Sequence, residues 1–392
     1  MKRLTCLAFG VLLAWVLASC GTPTSVPSTA APTPVPPTAT LPDTTEAVDV
    51  EATQEPVRFP LSEPGPYYTG KRTFTFEDLS RDGRQIGITL LYPAVQPEGS
   101  TGAQLLAGAD RDPDLSSAPY PLILTGPDTG SVLFKAHLVS HGFAMAIVRY
   151  PDSYDYWDFQ MVDHPRDILF ALDQISSQPL EGLEGVIDSD HVGVAGYSSD
   201  GDHSLAVSGV RVDPGFYISH CEQASAIEPA LSERWIKDVC NPVGKWDEFV
   251  SHVGDEITVS EDGLWQPLTD ERIRAVMLMS SGGAWLYGDR GLSAADSPVF
   301  IIAAPEDDVV PYQIEAAYIF EHLGSPERFM VSFIGMGHMM VFDPEQAKRL
   351  NHFATAFFGT YLQDKSECRD YFSEEFVSQF DDLAWGGTRV SD

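Results

Sequence analysis

The sequence predicts an α/β protein, a mostly parallel sheet covered by helices on both faces. Two observations carry this expectation. Six short apolar runs, each the length of a buried strand, alternate with segments of helical periodicity. Hydrophobic residues make up 43% of the 392 positions and aromatics 11%, enough to fill a large core.

The elements follow in order. Residues 73–76 and 86–92 flank the turn Ser80-Arg81-Asp82-Gly83 and read as an antiparallel strand pair. After Pro121, strands are expected at 122–125, 144–148, 191–195, 275–279, 299–303 and 329–333. Helices are expected at 132–140, 166–175, 313–322 and 345–357. Residues 211–272 break the alternation with Cys221, Cys240, the turn Asn241-Pro242, Trp246, Trp265 and several helical fragments. An insertion of this length between core strands often forms a lid or one wall of a pocket. The folded domain is expected over 59–392.

The N-terminus predicts export. Lys2 and Arg3 precede an apolar run from Leu7 to Val16, which is too short for an ordinary transmembrane anchor. It ends in Leu17-Ala18-Ser19-Cys20-Gly21, which resembles the lipobox of bacterial lipoproteins. The resemblance implies a signal peptide at 1–19, cleavage before Cys20, and acyl chains on that cysteine that hold the protein to the lipid bilayer. The expected location is the bacterial cell surface or periplasm. Residues 20–58 read as a tether. Its stretch 22–42 holds seven prolines and almost nothing able to pack.

Acidic residues outnumber basic ones by 57 to 24. A surface this negative repels phosphate backbones and argues against nucleic-acid binding; its expected role is solubility, on a monomer. Export permits a disulfide, and Cys221 and Cys240 are the nearest pair. No Cys/His spacing matches a zinc site, and Asp200, Asp202 and His203 match no standard metal motif, so no metal or cofactor is expected.

The chemistry centres on Gly196-Tyr197-Ser198-Ser199-Asp200-Gly201, which nearly matches the G-x-S-x-G turn that presents a serine nucleophile between strand and helix. Centred on Ser198, the stretch keeps its first glycine and has Asp200 in place of the second. Centred on Ser199, Tyr197 would occupy the first glycine position and crowd the turn, so Ser198 is the predicted nucleophile. A serine hydroxyl needs a base and an acid that orients the base. His338 lies in the glycine-rich stretch after 329–333, and Glu306-Asp307-Asp308 follow 299–303, giving the chain order Ser, acid, His.

With these motifs in place, residues 71–362 resemble an α/β-hydrolase of the group that holds platelet-activating-factor acetylhydrolases, dienelactone-hydrolase-like enzymes and polyester hydrolases. The matching stretches include Ser80-Arg81-Asp82-Gly83-Arg84, Leu91-Tyr92-Pro93-Ala94, Leu138-Val139-Ser140-His141-Gly142-Phe143, His164-Pro165-Arg166-Asp167 and Asp270-Glu271-Arg272-Ile273-Arg274. The resemblance implies a serine esterase acting through an acyl-enzyme on a small-molecule or polymeric ester. It selects Asp307, four positions before Pro311, as the acid. It implies oxyanion donors at the amides of Ser199 and Thr129, with Asp128 replacing a glycine in Gly126-Pro127-Asp128-Thr129-Gly130. Trp285 and Tyr197 are candidates to line the substrate pocket. A carboxylate aimed at the oxyanion hole would oppose catalysis, so Asp128 and Asp200 leave open a non-catalytic binding protein; a peptidase would use the same triad.

Overall fold

Alternation along the strands decides how the sheet is covered. Leu122 and Leu124 face one hydrophobic cluster and Ile123 the other, and Val276 and Leu278 alternate in the same way with Met277. Strands buried on both faces need helices on both faces. The computed structural model describes residues 58–98, 109–152, 158–228 and 231–386. The expected leader at 1–19, Cys20 and the tether as far as residue 57 lie outside the described residues.

The chain begins with β1 (Tyr68–Asp78) and β2 (Arg84–Ala94), paired antiparallel from Tyr68–Ala94 to Asp78–Arg84. Next come β3 (Tyr120–Thr125), α1 (Val132–Ser140), β4 (Ala144–Arg149), α2 (Gln160–Ser177), β5 (Ile187–Tyr197) and α3 (Ser199–Ala206). The insertion contributes α4 (Pro214–Ile227), α5 (Glu233–Val239), α6 (Trp246–Val253) and α7 (Asp255–Thr258). Then follow β6 (Ile273–Met279), α8 (Ala284–Leu292), β7 (Val299–Ala303), α9 (Ala316–His322) and β8 (Arg328–Phe333). The chain closes with α10 (Pro344–Leu362), α11 (Glu374–Val377) and β9 (Leu383–Trp385). The sheet order is β1-β2-β4-β3-β5-β6-β7-β8-β9. The run from β4 to β8 is parallel; β1, β2 and β9 are antiparallel to their neighbours.

Helices α1 and α10 cover one face with Phe134, Leu138, Phe353 and Phe357, while α2, α3, α8 and α9 cover the other with Ile168, Leu205, Leu286 and Ile319. The insertion joins the second face through Tyr217 and Phe249. It carries its own aromatic cluster, in which Trp246 and Trp265 stack at 5.6 Å. A disulfide joins Cys221 to Cys240 across it.

Several elements differ from expectation, α8 and α11 among them, and for three others the reason is visible. Helix α2 starts at Gln160 rather than 166: Pro165 falls inside it, and its first turn is closed by amides of Met161, Val162 and Asp163 on the carbonyls of Asp158 and Phe159. Helix α9 starts three residues late because Glu315 leaves helical geometry (φ −116°, ψ −88°) and turns its side chain into the core. The three-residue β9 was not expected; it is too short to show a period. Among the described residues, no helix is long and apolar enough to cross a membrane.

Candidate active site

The parallel strands all end at one edge, and the loops that leave them there carry the polar residues singled out above. Ser198 sits between β5 and α3 with φ 53° and ψ −126°, a region that costs a non-glycine residue about 1–3 kcal/mol. Three hydrogen bonds hold it there. Its amide donates to the Met279 carbonyl at 2.9 Å, and its carbonyl accepts from Gly201 at 2.8 Å and Asp202 at 3.1 Å. The turn is so tight that a Cβ at Gly196 would lie 2.0 Å from the Asp200 carbonyl oxygen. Position 196 therefore requires glycine, which agrees with the register centred on Ser198.

His338 comes from the loop after β8. Its Nε2 lies 3.1 Å from Ser198 Oγ, and its Nδ1 lies 2.9 and 3.0 Å from the two carboxylate oxygens of Asp307, on the loop after β7. The carboxylate accepts the Nδ1 proton, which leaves Nε2 as acceptor for the serine hydroxyl. Asp307 is fixed in turn, because its Oδ1 also accepts the amides of Val309 at 2.9 Å and Val310 at 2.8 Å. Asp307, rather than Asp308, meets His338. Neighbouring Glu306 ties the two loops together by accepting the Gly335 amide at 3.0 Å and donating its own amide to Met336.

Tyr197 is buried beside His338, its hydroxyl donating to the His338 carbonyl at 2.9 Å. Burial pushes its phenol up to about 12, so it is a permanent donor. Trp285 is buried among His220 and Trp235 of the insertion, ring centroids 4.4 and 5.0 Å away.

The two aspartates that depart from the glycine pattern behave differently. Asp128 is exposed, so solvent screens its charge. Asp200 is buried, and its Oδ2 accepts the Asp128 amide at 2.8 Å and the Thr129 hydroxyl at 3.0 Å. Burial pushes its carboxyl up to about 6. The carboxylate thus braces the loop after β3. Lys135 braces it from α1, donating to the carbonyls of Gly130 at 3.1 Å and Pro127 at 3.4 Å. Burial lowers this ammonium to about 8, against the opposing pull of Asp200 and Asp128.

The Asp128 amide is therefore engaged, whereas the Thr129 amide has no acceptor among the described residues. Ser199 is the first residue of α3, where an amide lacks an intrahelical acceptor. Two uncommitted amides next to a serine–imidazole–carboxylate chain can stabilise an oxyanion formed by attack of that serine.

Sequence reasoning missed the supports behind the turn. Asp202 accepts the Gly282 amide at 2.6 Å, and the fully buried Glu315 accepts the Ala284 amide at 2.8 Å. Together they pin the loop after β6. Burial drives the Glu315 carboxyl well above its ordinary range. Asp200 and Asp202 face different loops.

No protein-family model matches the chain, and no curated protein matches it.

Proposed function

We propose that the protein is a serine hydrolase of carboxylic esters, an α/β-hydrolase in which residues 211–272 wall one side of the site. The observation that carries this reading is the hydrogen-bonded chain from Ser198 Oγ through His338 to Asp307, with contacts of 3.1 and 2.9 Å. Ser198 attacks the ester carbonyl while His338 Nε2 takes its proton. The amides of Ser199 and Thr129 hold the oxyanion. His338 returns the proton to the departing alcohol, leaving an acyl-Ser198. Water, deprotonated by the same imidazole, then releases the acid. The steps need only these side chains and water.

The bracing by Asp200 favours an active site over a decayed one, since its Oδ2 orders the loop after β3 through the Asp128 amide and the Thr129 hydroxyl. The leader and Cys20 support a lipid-anchored, extracytoplasmic enzyme. A fluorophosphonate probe and 4-nitrophenyl acetate test the catalytic reading. Wild-type protein should be labelled and should turn over the ester, and Ser198→Ala should do neither. Folded wild type that resists the probe would return the protein to the class of binding lipoproteins.

A further inference from the structure

Beside the loop after β3 lies a cavity of about 440 Å³, within the roughly 300–1,000 Å³ of small-molecule sites. Its walls come from Asp128 on that loop, Arg149 and Tyr150 at the end of β4, His164 on α2, and Asp200 and His203 on α3. Every lining side chain except Pro127 carries a hydrogen-bonding group. A larger hollow of about 620 Å³ runs along Lys71–Phe74 and Gly182, before β5 and so at the opposite end of the sheet.

Two features say what the cavity takes. The first is His203, which is 1% exposed and has no hydrogen-bond partner on either ring nitrogen among the described residues. Burial drives its pKa well below the usual imidazole range, so it is neutral and offers one donor and one acceptor. Its ring is held edge-on by Tyr150 at 5.7 Å and His164 at 4.7 Å, themselves stacked at 3.7 Å. Leaving such groups without hydrogen bonds in the interior is costly, so a ligand able to pair both nitrogens gains that cost back.

The second feature is the charge balance. Asp152 is ion-paired with Arg84, and Asp200 takes the two loop donors on Oδ2 and the Tyr150 hydroxyl at 3.5 Å on Oδ1, which lies 3.9 Å from His203 Nδ1, beyond hydrogen-bond reach. That leaves exposed Asp128 and exposed Arg149 as opposite charges at the rim. Neither a cation nor an anion is favoured, and an alkyl chain would strip water from every wall. A hydroxyl both donates and accepts, which is what a neutral imidazole requires.

We propose that this cavity is a subsite for a neutral, hydroxyl-rich group, the sugar ring of an O-acylated saccharide. The assignment rests on the esterase reading for the position of the scissile bond. The segment just after His338 differs in character: Met339 and Phe342 are exposed and apolar, and offer a surface to the acyl chain.

Two measurements test it. The first is kcat/KM for 6-O-acetylglucose relative to n-hexyl acetate. Wild type should prefer the sugar ester by about tenfold or more, and His203→Phe should reduce that ratio by about tenfold. Arg149→Leu, at an exposed position, should also reduce it and serves should His203→Phe fail to fold. A ratio near one, or one that neither variant changes, overturns the proposal. The second is calorimetric binding of 6-O-acetylglucose to Ser198→Ala, with and without His203→Phe. Binding that depends on His203, together with wild type that hydrolyses no ester, would retain the subsite and sink the esterase reading. Turnover of 4-nitrophenyl acetate with no saccharide binding would do the reverse.

Discussion

The carboxylate of Asp200 rests against the α-carbon of Gly126, where an added Cβ would lie 1.8 Å from Oδ1. The residue that breaks the expected glycine pattern is thus paired with a glycine elsewhere that makes room for it. With Oδ2 on the Asp128 amide and Thr129 hydroxyl, Asp200 sets the height of the proposed oxyanion loop. Asp200→Ala should lower kcat on 4-nitrophenyl acetate by about 10- to 100-fold, less than loss of an oxyanion donor itself, with little change in KM. Asp200→Asn, which keeps the shape, should fall between. Gly126→Ala should mimic Asp200→Ala. A proportional rise in KM instead would point to a binding role.

Asp200 also predicts a pH dependence of stability. Burial raises its carboxyl to about 6 in the native state, against about 3.9 in the unfolded chain. Between those values the native state keeps a proton the unfolded chain has released, so stability falls as pH rises. The contribution is absent below about pH 4 and fully expressed above about pH 7, where it amounts to about 3 kcal/mol. Urea unfolding of wild type and Asp200→Asn at the two ends of this window checks the sign. The gap between the variants should shift in favour of Asp200→Asn at the higher pH.

Asp307→Asn should preserve the geometry around His338 while favouring the wrong imidazole tautomer. The expected loss is about 10⁴ in kcat, with a melting temperature close to wild type. Asp308→Asn, one residue on, should change kcat by less than about twofold. Equal effects from the two substitutions would reject Asp307 as the orienting acid.

Tyr197→Phe removes only the hydroxyl that donates to the His338 carbonyl at 2.9 Å. The buried carbonyl then loses a partner, at a cost of about 1–3 kcal/mol in urea unfolding. Activity should fall by less than about tenfold, because Tyr197 holds the loop rather than the reacting atoms.

The Cys221–Cys240 disulfide closes a loop over 19 positions, for which chain-entropy reasoning gives about 3 kcal/mol. Reduction should therefore lower the stability of the insertion, read as faster amide exchange in α4 and α5 than in the sheet strands. Uniform exchange across the molecule would mean the insertion does not open on its own.

The sequence by itself determined the α/β class and the strand run from β3 to β8. Buried parallel strands must be continuous apolar runs, and such runs are visible without any neighbour. It also singled out Ser198, His338 and the acidic run Glu306-Asp307-Asp308, because candidates for nucleophile, acid and base after separate core strands leave a mark in chain order; the choice of Asp307 within that run came from the resemblance. The tight turn at Gly196 is legible for the same reason, since its steric demand is local. The tertiary structure decided what the two aspartates do. Asp200 meets Gly126, Asp128 and Thr129 across roughly 70 positions of chain, and no local pattern encodes that approach. The same holds for Glu315, whose inward turn shortens α9 and pins the loop after β6, and for His203, whose ring is enclosed by Tyr150 and His164 with no hydrogen bond to either nitrogen among the described residues. Hydrophobic periodicity records which face of an element is buried; it does not record which buried polar groups find each other.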